Sequence, residues 1–264
     1  MSRLPTLFVS HGSPMHALAA GLAGETWRRL GAELPRPRAI LIVSAHWETS
    51  RPMLTGVPRP ETIHDFSGFP ELLYQIRYPV PGAPELARRA QALLVAAGLE
   101  ATLDDTRGLD HGAWTPLLHM YPDADVPVVQ LSVQSGLGGA HHLALGAALA
   151  PLTDEDILVI GSGHMTHNLR EWMGAPAREQ PVAYVLEFRD WVDDCLRAGD
   201  LAALSDYRRR APHAARAHPT EEHFLPLFVA LGAAGSALRP ERVLDAVEGG
   251  VLAMDAYLFH PAHS

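Results

Sequence analysis

Four short runs along the chain are apolar at nearly every position: Thr6–Ser10, Ala39–Ala45, Val126–Val133 and Ile157–Gly161. A strand with one wetted face alternates apolar and polar residues. Unbroken runs of this length therefore predict strands buried on both faces of a sheet. Around them, apolar residues recur at helical spacing over His16–Leu34, Glu85–Gly98, Ala140–Leu152, Val182–Arg197 and Glu221–Ala234. Pro84 stands just ahead of the second of these and Gly98 closes it, as expected of helix ends. Strand–helix alternation predicts an α/β fold: a three-layer arrangement whose central sheet, mostly parallel or mixed, is flanked by helices. The tail Arg242–Phe259 adds one more strand pair around Gly249-Gly250.

Two stretches interrupt the alternation. Residues 51–84 hold Pro52, Pro58, Pro60, Pro70, Pro79, Pro81 and Pro84 with almost no periodicity, and Tyr207–Pro219 is irregular and basic. A long irregular segment inside a compact domain is more often a functional loop than a linker. Neither stretch separates halves that each carry a strand–helix set, so residues 1–264 are read as a single domain.

Composition narrows the function. The 264 residues are 47% apolar and 19% charged, enough for a substantial core. An excess of 30 acidic over 21 basic residues, net charge -9, argues against a nucleic-acid partner, whose phosphates demand the opposite sign. All the basic residues are Arg, which excludes Schiff-base chemistry and a phosphate-loop lysine. Cys195 is the single cysteine, so no internal disulfide or cysteine-based metal site forms, and a cytoplasmic setting is expected. The apolar runs stop well short of the ~18 residues of a membrane span, and no signal-peptide core opens the chain.

Histidine, with 15 copies, is the outlier. His11 closes the first apolar run and His46 the second, while the fourth leads into Gly161-Ser162-Gly163-His164-Met165-Thr166-His167-Asn168. Ligands of open α/β sheets bind beyond the carboxyl ends of the strands, so three strand ends deliver imidazoles to one edge. A single such histidine is ordinary loop chemistry; three together point to a metal or acid–base site. His64, His111 and His223 are further candidates, with Thr220 expected to cap a helix whose first turn carries His223. His119, His141, His142, His213 and His218 are read as ordinary helix and loop residues, and His16, His260 and His263 as surface or terminal ones. Imidazoles without thiolates favour Fe(II), Zn(II), Cu(II), Mn(II) or Ni(II) over hard cations.

Six segments together resemble one family. They are Phe8-Val9-Ser10-His11-Gly12-Ser13-Pro14-Met15, Val43-Ser44-Ala45-His46-Trp47, Ile63-His64-Asp65-Phe66-Ser67-Gly68-Phe69-Pro70, Leu109-Asp110-His111-Gly112-Ala113-Trp114, Ser162-Gly163-His164-Met165-Thr166-His167-Asn168-Leu169 and His218-Pro219-Thr220-Glu221-Glu222-His223-Phe224-Leu225-Pro226-Leu227. In this order they are similar to the DODA-type extradiol ring-opening dioxygenases, the 4,5-DOPA branch of the class III, LigB-like enzymes. The resemblance runs from about residue 5 to residue 235. It implies a LigB-like fold and a non-haem iron enzyme that opens a catechol beside its two hydroxyl carbons, with O2 as co-substrate. It further implies His11, His46 and His223 as metal ligands, His167 as the acid–base residue and His111 assisting from the other side of the bound gas. Fe(II) is the metal implied for activity, with Zn(II) the other candidate for the site. Better-known class III enzymes carry a glutamate as third ligand, which makes Glu221 and Glu222 the alternatives to His223.

The chemistry has its own logic. A catechol ionises well above neutral pH, so a dication with neutral ligands and a nearby imidazole base are what convert it to an electron-rich anion. His64, Phe66 and Trp114 are expected to bind substrate, with Phe69 and Tyr78 also available to stack on its ring and Arg77, Arg170 or Arg216 to pair with a carboxylate. Two rivals follow from the same residues: a zinc hydrolase on the same scaffold, and a non-enzymatic metal-binding protein.

Overall fold

The computed structural model describes residues 3–173, 178, 180–235 and 238–261. Ten strands are present among them: β1 (Thr6–Ser10), β2 (Ala39–Glu48), β3 (Met53–Thr55), β4 (Thr102–Asp104), β5 (Val128–Val133), β6 (Ile157–Gly163), β7 (Leu238–Leu244), β8 (Val247–Glu248), β9 (Leu252–Ala253) and β10 (Ala256–Pro261). Eight of them form one sheet in the order β4-β3-β5-β2-β6-β1-β10-β7. The four central strands, β5, β2, β6 and β1, are parallel, so their carboxyl ends share one edge. Antiparallel joins of β3 to β5, β1 to β10 and β10 to β7 make the sheet mixed.

The unbroken apolar runs are explained by burial on both sides. Leu7, Val9, Ile40, Ile42, Leu158 and Ile160 pack against Trp27 and Leu30 of the helix Gly21–Glu33 and Trp114 and Leu117 of the helix His111–Met120. Their neighbours Phe8, Leu41, Val43, Val129 and Val159 face the other way, towards the helices Pro84–Ala96, Gly138–Leu149, Ala183–Ala198 and Leu225–Ala234. Each fully covered branched side chain contributes about 1.5–3 kcal/mol, an upper figure for an extended unfolded chain.

The helix Leu225–Ala234 is buried on every side. Its approach to β6 depends on glycine: a Cβ on Gly161 would stand 2.1 Å from the Pro226 carbonyl oxygen, and one on Gly163 2.1 Å from that of His223. With no side chain between them, the His164 amide donates to the His223 carbonyl at 2.7 Å, fixing the turn before the helix against the end of β6.

Several expected elements differ. The helix expected from Glu221 begins at Leu225, and Thr220 does not cap it; the Thr220 hydroxyl instead donates to the Glu222 carboxylate at 2.9 Å. His223 therefore lies in the turn ahead of the helix. The helix expected over His16–Leu34 is split by Gly21, whose φ is +54°, into a 3-10 turn over Pro14–Ala17 and the helix Gly21–Glu33. The tail extends the sheet through β7 and β10 and adds the hairpin β8–β9, which turns at Gly249 and Gly250, both at positive φ. The proline-rich stretch contains β3 and a single-turn helix, Glu71–Gln75, and the basic stretch two more, Tyr207–Arg210 and Ala214–Ala217. His16 and His218, expected in loops or at the surface, are buried, at 7% and 0% exposure; His263 lies outside the described residues.

Candidate metal centre

Three imidazoles meet at the carboxyl edge of the sheet. His11 follows β1 directly, and His46 lies near the end of β2, where the pairing with β5 slips between Val43 and Glu48. Such an irregularity re-aims side chains at the end of a strand. His223 arrives from the far side on the turn pinned to Gly163. The His46 Nε2 lies 3.0 Å from the His11 Nε2 and 3.3 Å from the His223 Nε2. Nitrogens about 2.1 Å from a common ion stand about 3.0 Å apart at right angles and about 3.4 Å apart in a tetrahedron, so this spacing suits a shared cation.

The outer nitrogens decide which way the lone pairs point. The Ser162 hydroxyl donates to the Gly112 carbonyl, so its oxygen is left to accept from the His11 Nδ1–H at 3.0 Å. The His223 Nδ1–H donates to the Glu222 carboxylate at 2.9 Å, and the His46 Nδ1 faces the Asp65 carboxylate at 3.4 Å. With each Nδ1 carrying the proton, all three Nε2 atoms turn lone pairs towards one point. Lone pairs opposed at 3.0 Å repel unless a cation lies between them, and an outer acceptor on each imidazole is the usual second support of a metal-binding histidine. Burial, followed by the neighbouring imidazoles, holds His11 and His223 well below the usual histidine range and His46 at about 4. Protons therefore do not compete for these nitrogens near neutrality. Glu222 touches the back of His223, and Glu221 accepts from the Tyr207 hydroxyl at 3.0 Å, so neither carboxylate stands at the convergence point.

Two more histidines flank the trio. The His167 ring is stacked on that of His223, centroids 3.4 Å apart and planes 13° apart, and burial first, then nearby imidazoles, push it down to about 2. His111 stands with its ring 4.0 Å from that of His46. Asp65 grips His111 twice, accepting from its backbone amide and from Nδ1–H, each at 2.9 Å. Burial opposes ionisation of Asp65, but the His111 hydrogen bonds prevail and hold it at about 2, so it is a carboxylate.

The rings open into a cavity of about 330 Å³, lined also by Gly12, Ser13, Pro14, Phe66, Phe69, His164, Leu169, Trp172, Met173 and Leu252. Of the expected substrate-binding residues, Phe66 lines it. Trp114 and His64 do not: Trp114 is fully buried with its indole N–H on the Ile63 carbonyl at 2.8 Å, and His64 packs against Phe66, Tyr74 and Trp114 with Nε2 at the Ile76 carbonyl. Both stand one layer behind Phe66, because their polar atoms are committed to the backbone of the loop. Tyr78 is buried with its hydroxyl on the Tyr121 carbonyl and lies outside the cavity. Arg77 donates to the Tyr74 and Ile76 carbonyls, Arg216 pairs with Glu171 at 2.7 Å, and no arginine, Arg170 included, is among the described residues that line the cavity. Asp65, Ser162 and His164 are not marked as working residues by the sequence, and Glu222, a candidate ligand there, instead supports His223 from behind. Asp65 carries a visible signal in the sequence, its place between His64 and Phe66.

Residues 5–248 match the family described as the catalytic LigB subunit of aromatic ring-opening dioxygenase. The 4,5-DOPA dioxygenase extradiol of Beta vulgaris is 46% identical over 260 residues, 96% of each chain. That of Escherichia coli K12 is 41% identical over 258 residues, 96% of this chain and 93% of its own. A crystal structure of an uncharacterized Escherichia coli K12 protein superposes with a TM-score of 0.82 at 36% identity, covering 97% of this chain and 99% of the other.

Proposed function

Since this chain belongs to the LigB family of aromatic ring-opening dioxygenases, we propose that it opens the ring of a DOPA-like catechol with O2 at a ferrous centre held by His11, His46 and His223. It is an enzyme of the dioxygenase class. The observation that carries the residue assignment is the convergence of three Nε2 lone pairs whose Nδ1 protons are engaged by Ser162, Asp65 and Glu222. When bound between His11, His46 and His223, Fe(II) would supply Lewis acidity towards the diol oxygens and redox chemistry towards O2.

The remaining work falls to the side chains. His167 enters the reaction neutral and is the group that takes a proton from the incoming diol and later returns it. Its own basicity is low in the empty pocket, and the negative charge of the ionised diol beside it favours its protonated form. His111, locked by Asp65, presents its other nitrogen from the opposite wall and steadies charge as it develops. Phe66 and Phe69 cover the ring of the diol, with His64 and Trp114 fixing Phe66 from behind. The apolar wall excludes water, which would otherwise compete for the cation. A reducing cytoplasm, expected from the lone Cys195, suits a centre that must remain ferrous.

Anaerobic loading with Fe(II), then oxygen-electrode measurements across a panel of catechols, tests the reading. Oxygen uptake with a yellow ring-opened product, dependent on both Fe(II) and the catechol, is expected. Hydrolytic turnover by zinc-loaded protein without oxygen, and no uptake with iron, would replace it with a zinc-activated water.

A further inference from the structure

His164 stands apart from the machinery described above. It is 1% exposed, it lines the same cavity as the converging rings, and neither ring nitrogen makes a well-formed hydrogen bond among the described residues, although the Ala253 and Thr166 backbones lie close enough to favour its protonated form. Its ring lies 6.1 Å from that of His11 and 5.5 Å from that of His167, so it belongs neither to the trio nor to the stacked pair. Its backbone explains part of its position, since the amide holds the His223 turn, but that contact makes no use of an imidazole. Burial keeps the ring neutral, at about 4, so one nitrogen donates and the other accepts. A buried imidazole without a well-formed hydrogen bond is costly, and a polar atom that enters the cavity is able to supply one.

The rest of the wall narrows what that is. Phe66, Phe69, Leu169, Met173 and Leu252 are apolar, and no arginine is among the described lining residues, Arg170 lining an adjoining pocket instead. Besides the histidines, the described lining offers only the Ser13 hydroxyl, whose oxygen accepts from the Met15 amide, and the exposed Trp172 indole as polar side chains. His164 is the fully buried one without a well-formed hydrogen bond, and the other histidines are engaged with the reacting end. We propose that His164 is a specificity-determining residue that donates a hydrogen bond to a carbonyl or carboxylate oxygen on the ring substituent of the catechol. This rests on the dioxygenase reading above. It makes the enzyme selective for diols with an oxygen-bearing side chain over their alkyl counterparts.

The test compares 3,4-dihydroxyphenylpropionate with 4-propylcatechol, which differ in a terminal carboxylate against a methyl group. In the Fe(II)-loaded wild type, kcat/KM favours the acid. In His164→Leu that ratio falls at least tenfold, mainly through KM for the acid, and His164→Asn, which keeps an N–H, restores part of it. Anaerobic calorimetric binding of the two diols gives the same order. Thermal unfolding of both variants reports whether the fold survives, and the Asn variant carries the test where the Leu variant fails to fold. A wild type without preference, an unmoved ratio, or an equal loss for both substrates overturns the proposal. Absence of oxygen uptake with every catechol sinks the dioxygenase reading and this inference with it, whereas uptake with an unmoved ratio sinks the inference alone.

Discussion

Asp65 serves two histidines at once, through two hydrogen bonds to His111 and a 3.4 Å approach to the His46 Nδ1. Asp65→Asn keeps the size but replaces one acceptor oxygen by an amide donor, so it disorders His111 and loosens His46. Loss of outer partners of this kind costs about 10–100-fold in activity or metal affinity, and steady-state oxygen uptake together with chelator competition checks it. His167→Phe is expected to retain metal near the wild-type level, because stacking on His223 survives, and to abolish turnover. Metal loss instead, read by elemental analysis, would move His167 from proton transfer to ligand support. Sequence reading reached His11, His46 and His223 because strand ends and family motifs mark them. It missed Ser162 and Glu222 as partners because serine and glutamate are ordinary surface residue types. The Ser162 pairing with His11 spans 151 positions and leaves no local pattern.

Among the elements, β6 and the turn before the helix Leu225–Ala234 form the tightest junction of the site. Gly163 permits it, so Gly163→Ala forces a Cβ onto the His223 carbonyl. Overpacking of this kind costs ~1–3 kcal/mol, and the expected result is a lower denaturant midpoint together with weaker metal retention. A variant that loses stability but keeps its metal would show that the turn is not what aims His223. The four central strands were legible because both-face burial writes unbroken apolar runs. The two short strands β3 and β4 were not, since three residues are too few to show a period. The misplaced start of the last helix has a similar cause: Thr220 is an acceptable cap locally, but packing of Pro226 onto Gly161 sets the first turn four residues later.

The protein also carries histidines that fold neutral inside the core, away from the metal centre. Burial pushes His142 down to about 4 and His218 to about 3. In the unfolded chain both accept a proton near pH 6.5, whereas in the fold they do not until much lower pH. Their contribution is fully present above 6.5 and is lost as pH falls towards the folded values, about 2 kcal/mol each by pH 5. His16 works in the opposite sense: burial would lower it, but its bond to Glu248 raises it, so its support is present at acid pH and fades as pH rises past the folded value. Urea midpoints from pH 7 to pH 5 should therefore drop, and more shallowly in His218→Phe; a slope unchanged by that substitution would assign the acid sensitivity elsewhere. The family resemblance spoke to the site and not to this burden, since burial of His218 among Phe188, Tyr207 and Phe224 arises from the assembled fold.

The separation of the three converging rings along the chain bears on biogenesis. His11 and His46 are 35 positions apart, but His46 and His223 are 177 apart, and β1, which ends just before His11, is completed on its outer edge by β10. A nascent polypeptide still short of residue 223 owns two of the three donors and lacks the turn that aims the third. Capture of a cation with all three imidazoles is thereby deferred until most of the chain has left the ribosome, and translation products that stall earlier lack the complete donor set.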